Sequence, residues 1–220
     1  MTENSVTLTN IPPHSDVHVL VRGNIDSPKR ALILLHGRGA SAENILGLTR
    51  GMELSPDVLL CAPQANGDTW YPQRFIVPRT ENEPHLSSAL HVVDELIAYC
   101  RDTYGLKTSS IVLAGFSQGA CLVSEYVASR PAKYAGVCIY SGGLIGADDE
   151  IAQTNWSGDL QGTRIYIGCD EQDPHIPAER VQTTASIMQR MGADVTSKLY
   201  THLGHSVHPQ GIAFLSDLLH

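Results

Sequence analysis

From residue 31 onward, short apolar runs alternate with longer stretches whose apolar residues recur every three to four positions. Ala31-Leu32-Ile33-Leu34-Leu35, Val58-Leu59-Leu60-Cys61-Ala62 and Ile111-Val112-Leu113-Ala114 are continuously apolar, as a strand buried on both faces must be. Residues 135–140, 164–168 and 195–200 read as further strands. The strongest helical pattern follows Pro84: Leu86, Ala89, Leu90, Val93, Leu96, Ile97 and Cys100 share one face, and Gly105 ends the run. Helices are also expected from Ser41, a plausible N-cap, over 120–128, over 178–191 and over 209–219. Weaker alternation at Val6-Leu8 and Val17-Val19-Val21, separated by Pro12-Pro13, predicts an antiparallel pair at one sheet edge. Residues 144–161 are polar and irregular and read as a short cap segment. Strand–helix alternation of this kind predicts an α/β fold, a mostly parallel central sheet with helices on both faces, in one domain over 1–220. There is no internal repeat, low-complexity segment or linker.

Composition narrows the function classes. At 42% hydrophobic and 17% charged, the 220-residue chain matches a soluble protein with a sizeable core. A formal net charge of -8, with no cluster of Lys or Arg, argues against nucleic acid and anionic membrane surfaces as partners. No apolar run approaches the ~20 residues of a membrane span. The first residues, Met-Thr-Glu-Asn-Ser, lack a basic and then apolar leader, so a cytoplasmic location is expected. The cysteines, Cys61, Cys100, Cys121, Cys138 and Cys169, are odd in number and scattered. They read as buried free thiols of a reducing compartment, with no disulfide framework or metal site.

The chemistry concentrates at Gly115-Phe116-Ser117-Gln118-Gly119, a G-x-S-x-G pattern between an apolar strand and a helix. That context distinguishes a nucleophile elbow from a glycine-rich turn that merely contains serine. A serine hydroxyl needs a base, commonly histidine, and the histidine needs a carboxylate on its other nitrogen. In α/β-hydrolases the chain order is Ser, Asp or Glu, His. Ser117, the acidic loop at 170–173 and the histidines at 202–208 follow that order. Asp170, Glu171 and Asp173 compete for the carboxylate. Asp173 is preferred because Pro174 restricts its backbone to extended geometry, and Asp170 is its main rival. His205 is preferred over His202 and His208; it follows a glycine and can turn back over the sheet edge, whereas His208-Pro209 resembles a helix start. His36 is expected to brace its loop. The backbone N–H groups of Gln118 and Arg38 are the expected oxyanion donors.

Leu35-His36-Gly37-Arg38-Gly39, Trp70-Tyr71-Pro72, the Ser117 pentapeptide, Asp173-Pro174-His175-Ile176-Pro177 and Gly204-His205-Ser206 together resemble the phospholipase/carboxylesterase family of α/β-hydrolases. This group includes carboxylesterases and acyl-protein thioesterases. The resemblance implies ester or thioester hydrolysis through an acyl-enzyme, without metal or cofactor, and supports Asp173 and His205 over their rivals. It makes a homodimer plausible. Two further readings are a lysophospholipase or acyl-protein thioesterase, which needs a long apolar groove, and a non-catalytic ligand-binding protein on the same scaffold, in which a triad member would be expected to be lost. Arg38 stands where the eukaryotic thioesterase branch usually has an apolar residue. Its side chain, with Arg74 or Arg79, is expected either to favour an ester bearing a carboxylate or to point to solvent. Trp70, Tyr71 and Phe75 are expected to line an acyl pocket or to pack in the core.

Overall fold

A computed structural model describes residues 2–220. Eight strands form one sheet: β1 (Thr2–Thr9), β2 (Asp16–Gly23), β3 (Arg30–Leu35), β4 (Val58–Pro63), β5 (Ile111–Phe116), β6 (Gly136–Tyr140), β7 (Arg164–Asp170) and β8 (Asp194–Tyr200). Their spatial order is β1-β2-β4-β3-β5-β6-β7-β8. β1 and β2 are antiparallel to each other, and β2 to β4; every later pairing is parallel. The antiparallel edge and the parallel body are those expected from the alternating and continuous apolar patterns.

Period-two side-chain direction explains why β3 is apolar throughout. Ala31, Ile33 and Leu35 face one core while Leu32 and Leu34 face a second on the opposite side of the sheet. The helices α2 (His85–Tyr104), α3 (Gln118–Ser129) and α5 (Ala178–Arg190) cover the first core. The second is closed by α1 (Ala42–Leu46) and α6 (Pro209–Leu218). Ser41 caps α1 by accepting the Asn44 N–H. Gly105 ends α2 in the left-handed conformation, φ 70°. Five of the seven α2 residues with expected core positions are fully enclosed; Leu90 is buried at 6% exposure, and Ile97 packs partly buried against the same core.

Two sequence expectations change. The 144–161 segment is not irregular throughout: α4 (Asp148–Gln153) forms within it, its first turn carrying Asp148, Asp149 and Glu150 at the favourable end of the helix dipole. β7 runs two residues past Gly168 because Cys169 and Asp170 remain paired to β8. The long loop after β4 contains two 3-10 turns, 66–68 and 79–82. All five cysteines are buried and free. Among the described residues no helix is long and apolar enough to cross a membrane.

Candidate active site

The site lies at the carboxyl ends of the parallel strands, where β-to-α loops converge. Ser117 sits between β5 and α3 at φ 55°, ψ -118°, a strained conformation for a residue with a Cβ. The flanking glycines permit this elbow. A Cβ on Gly115 would lie 2.5 Å from the Gly119 carbonyl carbon, and one on Gly119 would lie 2.2 Å from the Leu35 oxygen. The neighbours are backbone atoms and cannot swing aside. The Ser117 N–H is held by the Tyr140 carbonyl at 2.9 Å.

Ser117 Oγ lies 2.9 Å from His205 Nε2, and His205 Nδ1 lies 2.8 Å from Asp173 Oδ2. An ionised carboxylate only accepts, so Nδ1 carries the proton and donates to Asp173. Nε2 is then free to accept the serine hydroxyl proton. The Asp173 side chain is fully enclosed, whereas His205 is 21% exposed. Burial pushes the Asp173 carboxyl upward, but bonds from His205 and from the His175 and Ile176 N–H groups outweigh it and hold the pKa below the usual carboxylate range.

The rival carboxylate has a different place. Asp170 is neither a solvated turn residue nor a partner of His205. Its Oδ1 accepts the Gln172 N–H at 2.7 Å, and its Oδ2 accepts the N–H groups of Leu203 and Gly204, the latter at 2.9 Å. Those backbone bonds lower its pKa. It therefore anchors the loop that carries His205, a role that required knowing where residues 203–204 fold. His208 caps α6 by accepting the Gln210 N–H and stacks on Tyr200 at 3.8 Å between ring centroids. His202 makes no contact with Ser117 or Asp173 among the hydrogen bonds of the site, and its backbone has positive φ, 59°.

Gly37 approaches the elbow closely: a Cβ there would sit 3.3 Å from Ser117 Cβ. The next peptide N–H, that of Arg38, thus belongs to the loop beside Ser117. Buried His36 braces that loop. Its Nδ1–H donates to the Gly37 carbonyl at 2.8 Å, and its Nε2 accepts the Ala65 N–H at 3.0 Å. Gln118 opens α3, so its backbone N–H is one of the unpaired donors of a helix N-terminus. Its buried side chain accepts from Trp70 N–H at 3.0 Å and donates to the Tyr71 carbonyl at 2.8 Å. The sequence pattern singled out Gln118 for its backbone only; the side chain also pins the facing loop.

A cavity of about 520 Å³ opens over Ser117 and His205. Tyr71, Phe75, Phe116, Cys121 and Ile176 form its apolar wall, and Arg38, Asn44, Gln73, Arg74 and His175 its polar parts. Burial pushes the Cys121 thiol up to about 12, so it is a neutral packing group here. Ile176 and His175 were missed as lining residues, although the motif that carries Asp173 contains both.

Four expected substrate contacts are corrected or refined. Trp70 is fully buried and outside the cavity; its indole Nε1–H donates to the His36 carbonyl at 2.9 Å. Arg79 is also outside, paired at 2.6 Å with Glu125, whose burial raises its carboxyl pKa. The Arg38 guanidinium neither points freely to solvent nor extends a fork toward a ligand. It donates to the carbonyls of Tyr71 at 2.9 Å, Pro72 at 2.8 Å and Gln73 at 2.6 Å. Arg74 stays at the mouth, touching the His175 carbonyl at 3.4 Å through Nη2. Tyr71 and Phe75 do line the cavity.

A family model described as Phospholipase/Carboxylesterase matches residues 18–220. A crystal structure of phospholipase/carboxylesterase from Dyadobacter fermentans DSM 18053 is 35% identical, covers 92% of this chain and 96% of its own, and superposes with a TM-score of 0.85. Esterase YpfH of Escherichia coli (strain K12) is 23% identical over 92% of this chain and 87% of its own length. Acyl-protein thioesterase 1 of Kluyveromyces lactis is 27% identical over 86% of this chain and 90% of its own.

Proposed function

The chain belongs to the phospholipase/carboxylesterase family of carboxylic ester hydrolases, and we propose that it is a serine esterase for small to medium acyl esters, working through Ser117, His205 and Asp173. The observation that carries the reading is the unbroken relay from Ser117 Oγ through His205 to the enclosed Asp173, at 2.9 and 2.8 Å, opening into one cavity.

In this mechanism Ser117 Oγ attacks the ester carbonyl carbon while its proton passes to His205 Nε2. The negative charge that develops on the carbonyl oxygen is met by the backbone N–H groups of Arg38 and Gln118. Collapse breaks the bond to the alcohol oxygen, which leaves with the proton from His205, and an acyl group remains on Ser117. Water then attacks that acyl carbon, gives a proton to His205, and a second collapse releases the carboxylic acid and restores the serine. Asp173 stays ionised and keeps the imidazole in its Nδ1–H form. The chain would act as one catalytic domain over 1–220, without a cofactor.

Cavity size favours short acyl chains: about 520 Å³ lies within the range for small ligands, and its rim is polar. Acyl-protein thioesterases among the relatives make a thioester of the same acyl size the second reading. The test is hydrolysis of p-nitrophenyl esters from acetate to palmitate by wild type and Ser117→Ala. Turnover on short chains, lost in the variant, is expected. A maximum at palmitate would replace this reading with a lysophospholipase or long-chain thioesterase, and activity retained in Ser117→Ala would remove the mechanism.

A further inference from the structure

The wall of the cavity holds two arginines, Arg38 and Arg74, and no carboxylate, the nearest one of the site, Asp173, being enclosed behind His205. Among the described residues neither arginine forms an ion pair, although Arg79, Arg130 and Arg180 elsewhere each have one. In a chain with a formal net charge of -8, this is a local reversal of sign beside the nucleophile. Clefts lined by one sign of charge concentrate ligands of the other.

The two arginines are not equivalent. Arg38 directs Nη1 and Nη2 to three successive carbonyls of the 71–73 loop, so it fixes that loop while its charge remains. Arg74, exposed at the mouth, has only the long 3.4 Å contact to the His175 carbonyl and keeps most of its five donors. Its backbone is held on both sides by buried Asn82, which accepts the Gln73 N–H at 2.8 Å and donates to the Arg74 carbonyl at 3.1 Å. A guanidinium on a fixed loop presents a planar fork matched to a carboxylate. Arg74 lines the same cavity as Ser117 and His205, and His175, whose carbonyl it touches, packs its ring 4.8 Å from that of His205.

We propose that this cavity selects esters bearing a free carboxylate, with Arg74 as the group that binds it and Arg38 as the residue that positions the loop. The inference rests on the hydrolysis proposed above and adds a substrate class to it.

Two matched pairs test it: mono-4-nitrophenyl adipate against 4-nitrophenyl methyl adipate, with the charge on the acyl side, and 3-carboxyphenyl butyrate against its methyl ester, with the charge on the alcohol side. For each pair the ratio of kcat/KM, acid over neutral, is measured for wild type, Arg74→Gln, and Lys107→Gln, which removes an exposed charge outside the cavity. At least one pair is expected to favour the acid about tenfold or more at low salt. That ratio should fall toward one in Arg74→Gln and in 0.5 M NaCl, and be kept in Lys107→Gln. Ratios of one or below for both pairs in wild type, or a preference that survives Arg74→Gln, would overturn the inference and leave the esterase standing. No turnover of any of the four esters would overturn both.

Discussion

The carboxylate of Asp170 accepts the Gly204 N–H at 2.9 Å and thereby holds the segment that presents His205 to Ser117. One acidic loop supplies two carboxylates with separate duties: Asp173 bonds the imidazole, and Asp170 bonds the backbone next to it. Asp170→Ala is expected to lower kcat roughly 10–100-fold with a smaller change in KM, since sub-ångström placement of a base controls rate more than binding. Asp170→Asn, which keeps one oxygen acceptor, should recover part of that loss. Equal kcat values for wild type and Asp170→Ala would assign the loop another anchor.

Asp173→Asn keeps the size of the side chain but can present an N–H to His205 Nδ1, favouring the wrong tautomer. A drop of roughly 10⁴-fold in kcat is expected, with the far-UV circular dichroism unchanged. A decrease below tenfold would mean that the imidazole is oriented by something other than the enclosed carboxylate.

Gly119→Ala should be among the most destabilising single changes in the chain. Its Cβ would meet backbone atoms of Leu35 and His36 within 2.6 Å, so β3 and α3 must move apart. Overpacking of this kind costs about 1–3 kcal/mol where side chains can yield, and here none can. Urea denaturation should show a lowered midpoint, and esterase activity should fall with it; an unchanged midpoint would contradict the closeness of strand and helix.

Stability should also decline in mild acid because of two enclosed imidazoles. Burial lowers the pKa of His14 and of His36 below the ordinary 6.5. Each already uses both ring nitrogens: His14 donates to the Trp70 carbonyl and accepts the Asn66 N–H, as His36 donates to Gly37 and accepts from Ala65. Below about pH 6.5 the unfolded chain binds protons that the folded chain refuses, so stability falls as pH drops toward the folded values, by at most about 1.4 kcal/mol per pH unit for each proton. Above that window the contribution is constant. The urea midpoint measured from pH 8 to pH 5 should be flat and then fall, and the His14→Gln/His36→Gln double variant should show a shallower fall. A wild-type midpoint independent of pH between 7 and 5.5 would count against both burial effects.

Those parts of the fold whose causes are local can be read from short stretches of chain. Continuous apolar runs such as Leu32 to Leu35 can be stable only as strands covered on both faces, and the α2 repeat closes at a glycine that tolerates positive φ. The Ser117 elbow was legible in part for the same reason, since Gly115 answers a clash with Gly119 and Ala120 within five residues of chain, whereas the clash that Gly119 avoids, with Leu35 and His36, comes from the packing of α3 on β3. Tertiary structure alone decided where side chains with several possible partners went. Nothing near Arg38 in sequence foretells three carbonyls some 35 positions away, nor does the Trp70-Tyr71 pair reveal that the indole turns to the His36 carbonyl while the phenol faces the cavity. Asp170 and Asp173 are three residues apart and alike in chemistry; their roles separated only when the 203–205 loop folded over β7 and offered backbone N–H groups to one and an imidazole to the other. Backbone conformation follows from short-range sterics, whereas a polar side chain takes whichever distant donor or acceptor the fold leaves unpaired.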